Sequence, residues 1–316
     1  VINVVTRQPE TGRPFSGEIR AHGSTAVPGG GLGLSLSSAG EGYALGLFVD
    51  GADFGDYETP GAEVPASGYR QLTTDLRLEL EPADAHRLSL KGQRYEGRDI
   101  GWPMRGGAEI PEETRTSVSL DWGWQASGGP VEGAGGRAYF QKLDHHMIMT
   151  MAMTGETGMP MTSVTDGTSY SETSGGRAQL RLAPWTGVEV DVGTEVTHLL
   201  AEGTRWTERV MGSMEPVRET FHTWPGVRVL DVGAFVQGDA ELGERLSVSG
   251  GIRLDRVDRQ ADQGDDKLEW VTTGNVGLRA SLASWMTARA TVGVGYRTPD
   301  PMELYGLGLK PDGYVY

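Results

Sequence analysis

The residues with the clearest capacity for chemistry lie in one stretch, Asp144-His145-His146-Met147-Ile148-Met149-Thr150-Met151-Ala152-Met153, with Met159 and Met161 close behind. The chain holds eleven methionines, and six of them fall between positions 147 and 161. In an extended chain successive side chains point to opposite faces, so His145, Met147, Met149, Met151 and Met153 would share one side. Such a row offers imidazole nitrogen and thioether sulfur. Thioether sulfur binds hard cations poorly and cuprous copper well, so the row reads as a copper-collecting surface, with His146, Met159 and Met161 as further candidate ligands. Methionine also fills irregular gaps in apolar cores. A core rarely breaks its packing with residues such as Gly155, Glu156, Gly158 and Pro160, and that interruption favours metal contact over packing. A sparser group, Met211, Met214 and His222, could converge on the same region.

Other constellations carry less. His22, His86 and His198 stand alone among strand-like residues, and Asp262, Asp265 and Asp266 lack the ordered ligand series of a calcium loop. Gly29-Gly30-Gly31-Leu32-Gly33 imitates a phosphate-binding glycine pattern, but no helix follows it to supply an N-terminus. There is no serine elbow and no zinc-protease helix motif, so the expectation is that the protein is not an enzyme.

The totals bound what can position these residues. A net charge of -15 argues against a nucleic-acid partner, which would need a basic face to neutralise phosphate, and suits a surface that attracts cations. The absence of cysteine excludes a disulfide framework and a thiolate site within this chain. Hydrophobic residues make up only 37% and no apolar run approaches the roughly 18 residues of a transmembrane helix.

Alternation of period two dominates instead. Leu72, Leu76, Leu78 and Leu80 share one face while Thr73, Asp75, Arg77 and Glu79 share the other. The same split recurs at Val118, Leu120, Trp122 and Trp124, at Val188 to Val196, at Leu246 to Leu254 and at Ala288 to Val294. The pattern predicts strands near 18–26, 31–39, 43–51, 68–80, 86–98, 114–126, 134–146, 168–183, 187–200, 226–240, 245–257, 268–282 and 286–297. Short and long connections alternate between them, with long ones expected at 53–67, 99–113, 147–167, 201–226 and 258–267. In an up-and-down antiparallel sheet alternate connections lie at opposite ends, so all the long loops share one end, and the Met-rich segment lies there.

Strands of ten or more residues with short turns at one end and long loops at the other describe an all-β, antiparallel up-and-down transmembrane β-barrel of the outer-membrane type. Its apolar faces would meet outer-membrane lipid and its charged faces would line the lumen. Trp185 and Trp285, at the short-turn end, would sit in an interfacial aromatic girdle. About thirteen strands is an odd number, whereas bacterial barrels of this kind close with even numbers, so the sequence reads as part of a barrel, cut at both ends.

Two motifs carry a family resemblance. The opening Val1-Ile2-Asn3-Val4-Val5-Thr6-Arg7 resembles the strand that closes the plug domain of TonB-dependent outer-membrane receptors, and Gly295-Tyr296-Arg297-Thr298-Pro299-Asp300-Pro301-Met302-Glu303-Leu304-Tyr305 resembles a motif within their barrels. The resemblance implies a barrel of about 22 strands with a plug that the TonB complex pulls to import a scarce ligand. Residues 1–8 would then be the last plug strand and 15–316 the N-terminal part of the barrel.

Within that family, Asp144-His145-His146-Met147 is similar to the Asp-His-x-Met segment of the copper receptors, and Arg98 to Met104 and Trp224 to Val229 resemble them more loosely. The resemblance implies that His145 and Met147 are copper ligands of the barrel wall, with partners supplied in part by the plug, and that copper is cargo and not a catalytic cofactor. Met149, Met151, Met153, Met159 and Met161 go beyond the motif and would form a capture relay. Two alternatives stay open: the cargo is a ferric siderophore or other metal chelate, met by groups such as Trp102, Arg105, Trp206 and Arg209, or the chain is a non-transporting surface β-sheet module that binds carbohydrate or protein.

Overall fold

A computed structural model describes residues 8–103, 107–154, 159–299 and 301–305. Residues 1–7, which carry most of the expected plug strand, lie outside them, as do Met104, Arg105 and the residues after Tyr305. The first strands are β1 (Phe15–Ser24), β2 (Gly29–Gly40) and β3 (Tyr43–Phe54), followed by two short strands, β4 (Glu58–Thr59) and β5 (Ala62–Glu63). Next come β6 (Tyr69–Ala83), β7 (His86–Trp102), β8 (Ala108–Gln125), β9 (Val131–Thr154) and β10 (Pro160–Trp185). The series ends with β11 (Val188–Met211), β12 (Val217–Glu241), β13 (Leu246–Gln260), β14 (Lys267–Ala283), β15 (Met286–Val294) and a short helix, α1 (Pro301–Tyr305).

Thirteen of these strands form one sheet in chain order, every neighbouring pair antiparallel; β4 and β5 form a separate hairpin. The thirteen alternating segments of the sequence are these thirteen strands. The sheet is not closed, and β1 and β15 are its edges. No helix among the described residues is long and apolar enough to cross a membrane.

Residues directly opposite one another in a ladder share a face, so the register carries face identity across the whole sheet. Arg77 lies opposite Lys91, Lys91 opposite Ser119, Ser119 opposite Tyr139, Tyr139 opposite Gly175, Gly175 opposite Thr197 and Thr197 opposite Asp231. Leu78, Leu90 and Leu120 form a matching run on the other face. Burial inverts the order found in a water-soluble protein. On the polar face Arg77 is 5% exposed and Asp255 8%, whereas on the apolar face Leu120 is 46% exposed and Val276 56%. Water would not tolerate so wide an uncovered apolar band, and lipid would. Trp185 and Trp285 stand exposed at the short-turn end of that band.

The ladder departs from expectation in the long connections. Segments 147–167 and 201–226, expected as loops, are mostly strand: β9 and β10 continue to Thr154 and from Pro160, and β11 and β12 to Met211 and from Val217. At about 3.4 Å per residue these strands are much longer than the 9–11 residues needed to cross a bilayer, so they carry the sheet on past it. The reason is local. In β9 the run from Met147 to Thr154 holds Met, Ile, Thr and Ala with no Gly or Pro until Gly155, so nothing in that strand stops the ladder where the apolar band ends.

The connection after β3 is a true loop. Its Asp56 carboxylate accepts the backbone N–H groups of Ala66 at 3.1 Å, Ser67 at 2.7 Å and Gly68 at 2.7 Å. Those donors hold the Asp56 carboxyl below its ordinary range, the Ser67 and Gly68 amides foremost. A depressed folded value means that the stabilisation is complete above the ordinary aspartate pKa and is lost as pH falls through the depressed one. Amide exchange at Ser67 and Gly68, corrected for intrinsic rates, is expected to be slow at neutral pH and to accelerate in acid, and Asp56→Asn to be fast at both. Equal protection in the variant would show that the loop does not depend on the carboxylate.

Candidate metal centre

The Met-rich segment is the upper part of β9, and the register fixes which way it faces. His145 lies opposite Glu113 of β8 and Ser169 of β10, and Glu113 is on the polar face with Lys91 and Asp121. Strand alternation then puts Met147, Met149 and Met151 on that lumenal face as well, while the Met153 side chain lies outside the described ones. The column is continuous with the charged wall of the barrel and not with its apolar band.

Glu113 and His145 form a hydrogen-bonded pair within the column. The imidazole Nδ1 lies 3.0 Å from Glu113 Oε2, and since a carboxylate accepts, Nδ1–H donates. That hydrogen bond fixes the ring and leaves the Nε2 lone pair for a metal ion, the arrangement by which carboxylates orient metal-binding histidines. Glu113 is a functional candidate that sequence reasoning missed. The signal that could have found it is pairing: once β8 and β9 are recognised as a hairpin, Glu113 and His145 fall opposite each other.

Met147 sits at an irregularity. The pairing of β8 with β9 passes from Glu109–Ile148 to Glu112–His146, so Ile110 and Pro111 together face Met147 alone. This is a β-bulge, and Pro111, without an N–H for the ladder, accounts for it. Met147 is thus freed from a one-to-one partner on β8, and on its other side it faces Gly167. The glycine contributes no side chain, and the group nearest the space beside it is the Arg205 side chain from β11, its Cβ 3.3 Å from where a Cβ on Gly167 would stand. Ser163, Thr165 and Ser169 continue the same small-residue column on β10, opposite Met151, Met149 and His145.

The structure divides the remaining candidates. Alternation turns His146 to the outer face, where its Nε2 lies 3.0 Å from Asp166 Oδ1, so His146 does not share a side with His145. Met161 lies opposite both Met153 and Met211, joining the lumenal column to β11. Met159 is exposed one residue before β10 begins. His222 pairs with Thr204, next to the outward Trp206–Thr220 pair, and leaves the methionines. Trp206 is covered by the Arg218 guanidinium at 4.0 Å, while Arg209 bonds Glu219 at 2.7 Å, and Trp102 is exposed at the end of β7.

No three His, Asp or Glu side chains among the described residues converge into a metal cage. Imidazole plus thioether suits a soft, low-charge ion and suits calcium or magnesium poorly.

A family model described as TonB dependent receptor-like, beta-barrel, matches residues 20–314. Among solved structures, the copper transporter OprC is similar over 98% of this chain and 49% of its own, at 20% identity and a TM-score of 0.73. The siderophore receptor PiuA from Acinetobacter baumannii is similar over 88% of this chain and 48% of its own, at 10% identity and a TM-score of 0.68. The ferric-catecholate import receptor Fiu from E. coli K12 is similar over 94% of this chain and 56% of its own, at 12% identity and a TM-score of 0.64. The chain spans about half the length of these proteins, and at such identities the likeness is one of fold. No curated protein matches the chain in sequence.

Proposed function

The chain belongs to the TonB-dependent receptor family of bacterial outer-membrane β-barrels, and from that premise we propose that its parent protein imports copper, with His145 and Met147 as ligands on the barrel wall. On this reading residues 15–316 are the N-terminal part of the barrel and 1–8 the end of the plug, whose remainder engages the TonB complex. Copper is cargo, lipid surrounds the apolar band, and no catalytic step is assigned.

The observation that carries the proposal is the lumenal column itself. His145 is braced by Glu113 with Nε2 available, Met147 lies opposite Gly167, and Met149 and Met151 continue upward on the same face. Several modest soft ligands in line allow an ion to pass from one to the next, whereas a closed cage would retain it. His146 is left out of the site by its outward face, and Met153, Met159 and Met161 serve the upper approach.

Copper titration of the full-length protein in detergent tests this. The variant His145→Ala/Met147→Ala is expected to lose the copper that co-purifies with the wild type. Glu113→Gln, which keeps the shape of the positioning group but removes its charge, is expected to weaken binding about tenfold. If neither wild type nor variant holds copper while both remain folded, the column is not a copper site.

A second reading draws on Arg205 and Arg209, which share the lumenal face across β10 from the methionines. Cationic side chains there suit an anionic metal chelate, and two of the similar structures are receptors for siderophores or ferric catecholates. Competition for uptake separates the two: excess ferric chelate blocks entry of copper only if the chelate is the cargo of the same site.

A further inference from the structure

The outer wall carries a pattern of its own where the apolar band ends. Arg70 of β6 lies directly opposite Arg98 of β7, and Arg94 stands farther down β7, opposite Thr74. Leu72 and Leu76 share a face of β6 with Arg70 and are 45% and 49% exposed, so these arginines point outward, away from the lumenal column. Arg70 and Arg98 lie about a dozen residues from the short turn between β6 and β7. At about 3.4 Å per residue and a strand tilt of about 40°, that is roughly 30 Å, just beyond an apolar band about 25 Å tall. Lipid headgroups of the outer leaflet stand at that height.

Like charges directly opposite one another in an antiparallel pair, with Cβ atoms about 5 Å apart, repel and destabilise the ladder. Neighbouring carboxylates relieve this only in part. Asp99 leaves the strand conformation with φ of 50°, and its carboxylate accepts from Arg70 Nη2. Glu96 accepts from Arg94 Nε at 2.7 Å and reaches Arg98 Nη2 only at 4.0 Å. The Arg70 and Arg98 side chains remain more than half exposed. With Asp53 opposite Arg70 on β3, three carboxylates balance the three arginines, so the patch does not draw anions by net charge. What it offers is two planar forks of N–H donors side by side, which suits an anion with several terminal oxygens. Beside them the face is hollow: Gly30, Leu32, Gly51 and Leu72 bound a cavity of about 570 Å³ that reaches Arg70 and Arg98. Gly51 lies in the ladder between Leu32 and Leu72, two strongly exposed leucines.

We propose that Arg70, Arg98 and the hollow at Gly51 bind one phosphorylated glycolipid of the outer leaflet. Its phosphate sits between the two guanidinium groups and removes their repulsion, while an acyl chain lies over Gly51 between Leu32 and Leu72. A phosphomonoester on a sugar presents three terminal oxygens to the two forks, whereas the phosphodiester of an ordinary phospholipid presents two, so the pair favours the phosphomonoester. Arg94, one turn of the alternation below, is held by Glu96 and Thr116 and braces the lower edge. The site faces lipid, not the lumen, and is independent of which cargo the barrel carries.

The test is native mass spectrometry of the full-length protein in detergent, titrated with bisphosphorylated lipid A, with the same lipid stripped of its phosphates, and with phosphatidylglycerol. Two variants probe the two halves of the site. Arg70→Gln/Arg98→Gln removes the forks. Gly51→Leu fills the hollow, and the backbone accepts it: a Cβ there stands 3.6 Å from Leu72 Cδ1, an ordinary contact. Retention of the barrel is checked by the heat-dependent gel shift of folded outer-membrane barrels. Wild type is expected to hold one bisphosphorylated lipid A in preference to the other two lipids. Each variant is expected to bind it about tenfold more weakly, and only the arginine variant to lose the preference for phosphate. Binding by the folded arginine variant equal to wild type overturns the proposal. So does equal retention of phosphatidylglycerol, which would mean an unselective lipid belt, and so does undiminished binding by Gly51→Leu.

Discussion

Leu120→Arg is expected to destabilise the folded barrel in a bilayer by about 2–4 kcal/mol, while Ser119→Arg, one residue away, is expected to cost far less. Leu120 lies in the ladder between Leu90 and Ala138, within the exposed apolar band, where a guanidinium would have to enter hydrocarbon. Ser119 points to the lumenal side, between Lys91 and Tyr139 and two positions from Asp121, where a new cation meets polar groups and water. The difference between two adjacent positions on one strand is the signature of a sheet with lipid on one face and a polar lumen on the other. Refolding into vesicles against urea, performed on the full-length protein, measures both. If the two variants lose the same stability, the face assignment derived from the register is wrong, and with it the lumenal placement of His145 and Met147.

Arg259→Ala is the second large effect, expected to cost about 2–4 kcal/mol and to release the segment 295–305 from the wall. The Arg259 side chain is only 1% exposed. Its Nη1 donates to Glu269 Oε2 at 2.9 Å and its Nη2 to the Tyr296 hydroxyl at 3.1 Å, and that hydroxyl donates in turn to the same carboxylate oxygen at 2.8 Å. Farther along, Tyr305 packs with Val227 and Ala201 in a small apolar cluster, with Trp224 and Leu304 around it. Alanine would leave a cavity, a half-exposed Glu269 and a Tyr296 without its donor, so the start of this connection would lose its polar anchor while the Tyr305 cluster remained. Limited proteolysis at Arg297 together with the unfolding midpoint reads both consequences. Cleavage no faster than in the wild type would mean that the Tyr305 cluster alone holds the segment. Arg259→Met, which fills the same volume, is expected to cost less than alanine in stability while still loosening Tyr296.

Much of this was legible in the chain because a barrel wall is written in period two. Leu72 to Leu80 against Thr73 to Glu79 states both the strand and its two faces, and the alternation of turn lengths orders the ends. Propensity and alternation are local, so the thirteen strands could be counted without any partner in view. The same locality explains why His145 and the methionines at alternate positions could be put on one side, and why His146 could have been excluded by the rule that collected the others.

What the chain could not state by itself is what lies opposite what. Strand ends at 147–167 and 201–226 looked like loops because the apolar stripe stops there, whereas backbone hydrogen bonding continues regardless of whether lipid or water is outside. Glu113 is one acid among many until the bulge at Ile110–Pro111 sets the register that brings it to His145 Nδ1. Met161 and Met211 are fifty positions apart and become neighbours only through the pairing of β10 with β11. Sequence alone determined the strands, their faces and the soft donors available. Tertiary structure decided which donors meet, because pairing across strands depends on register, and register is a long-range sum over a whole ladder that a single bulge can shift.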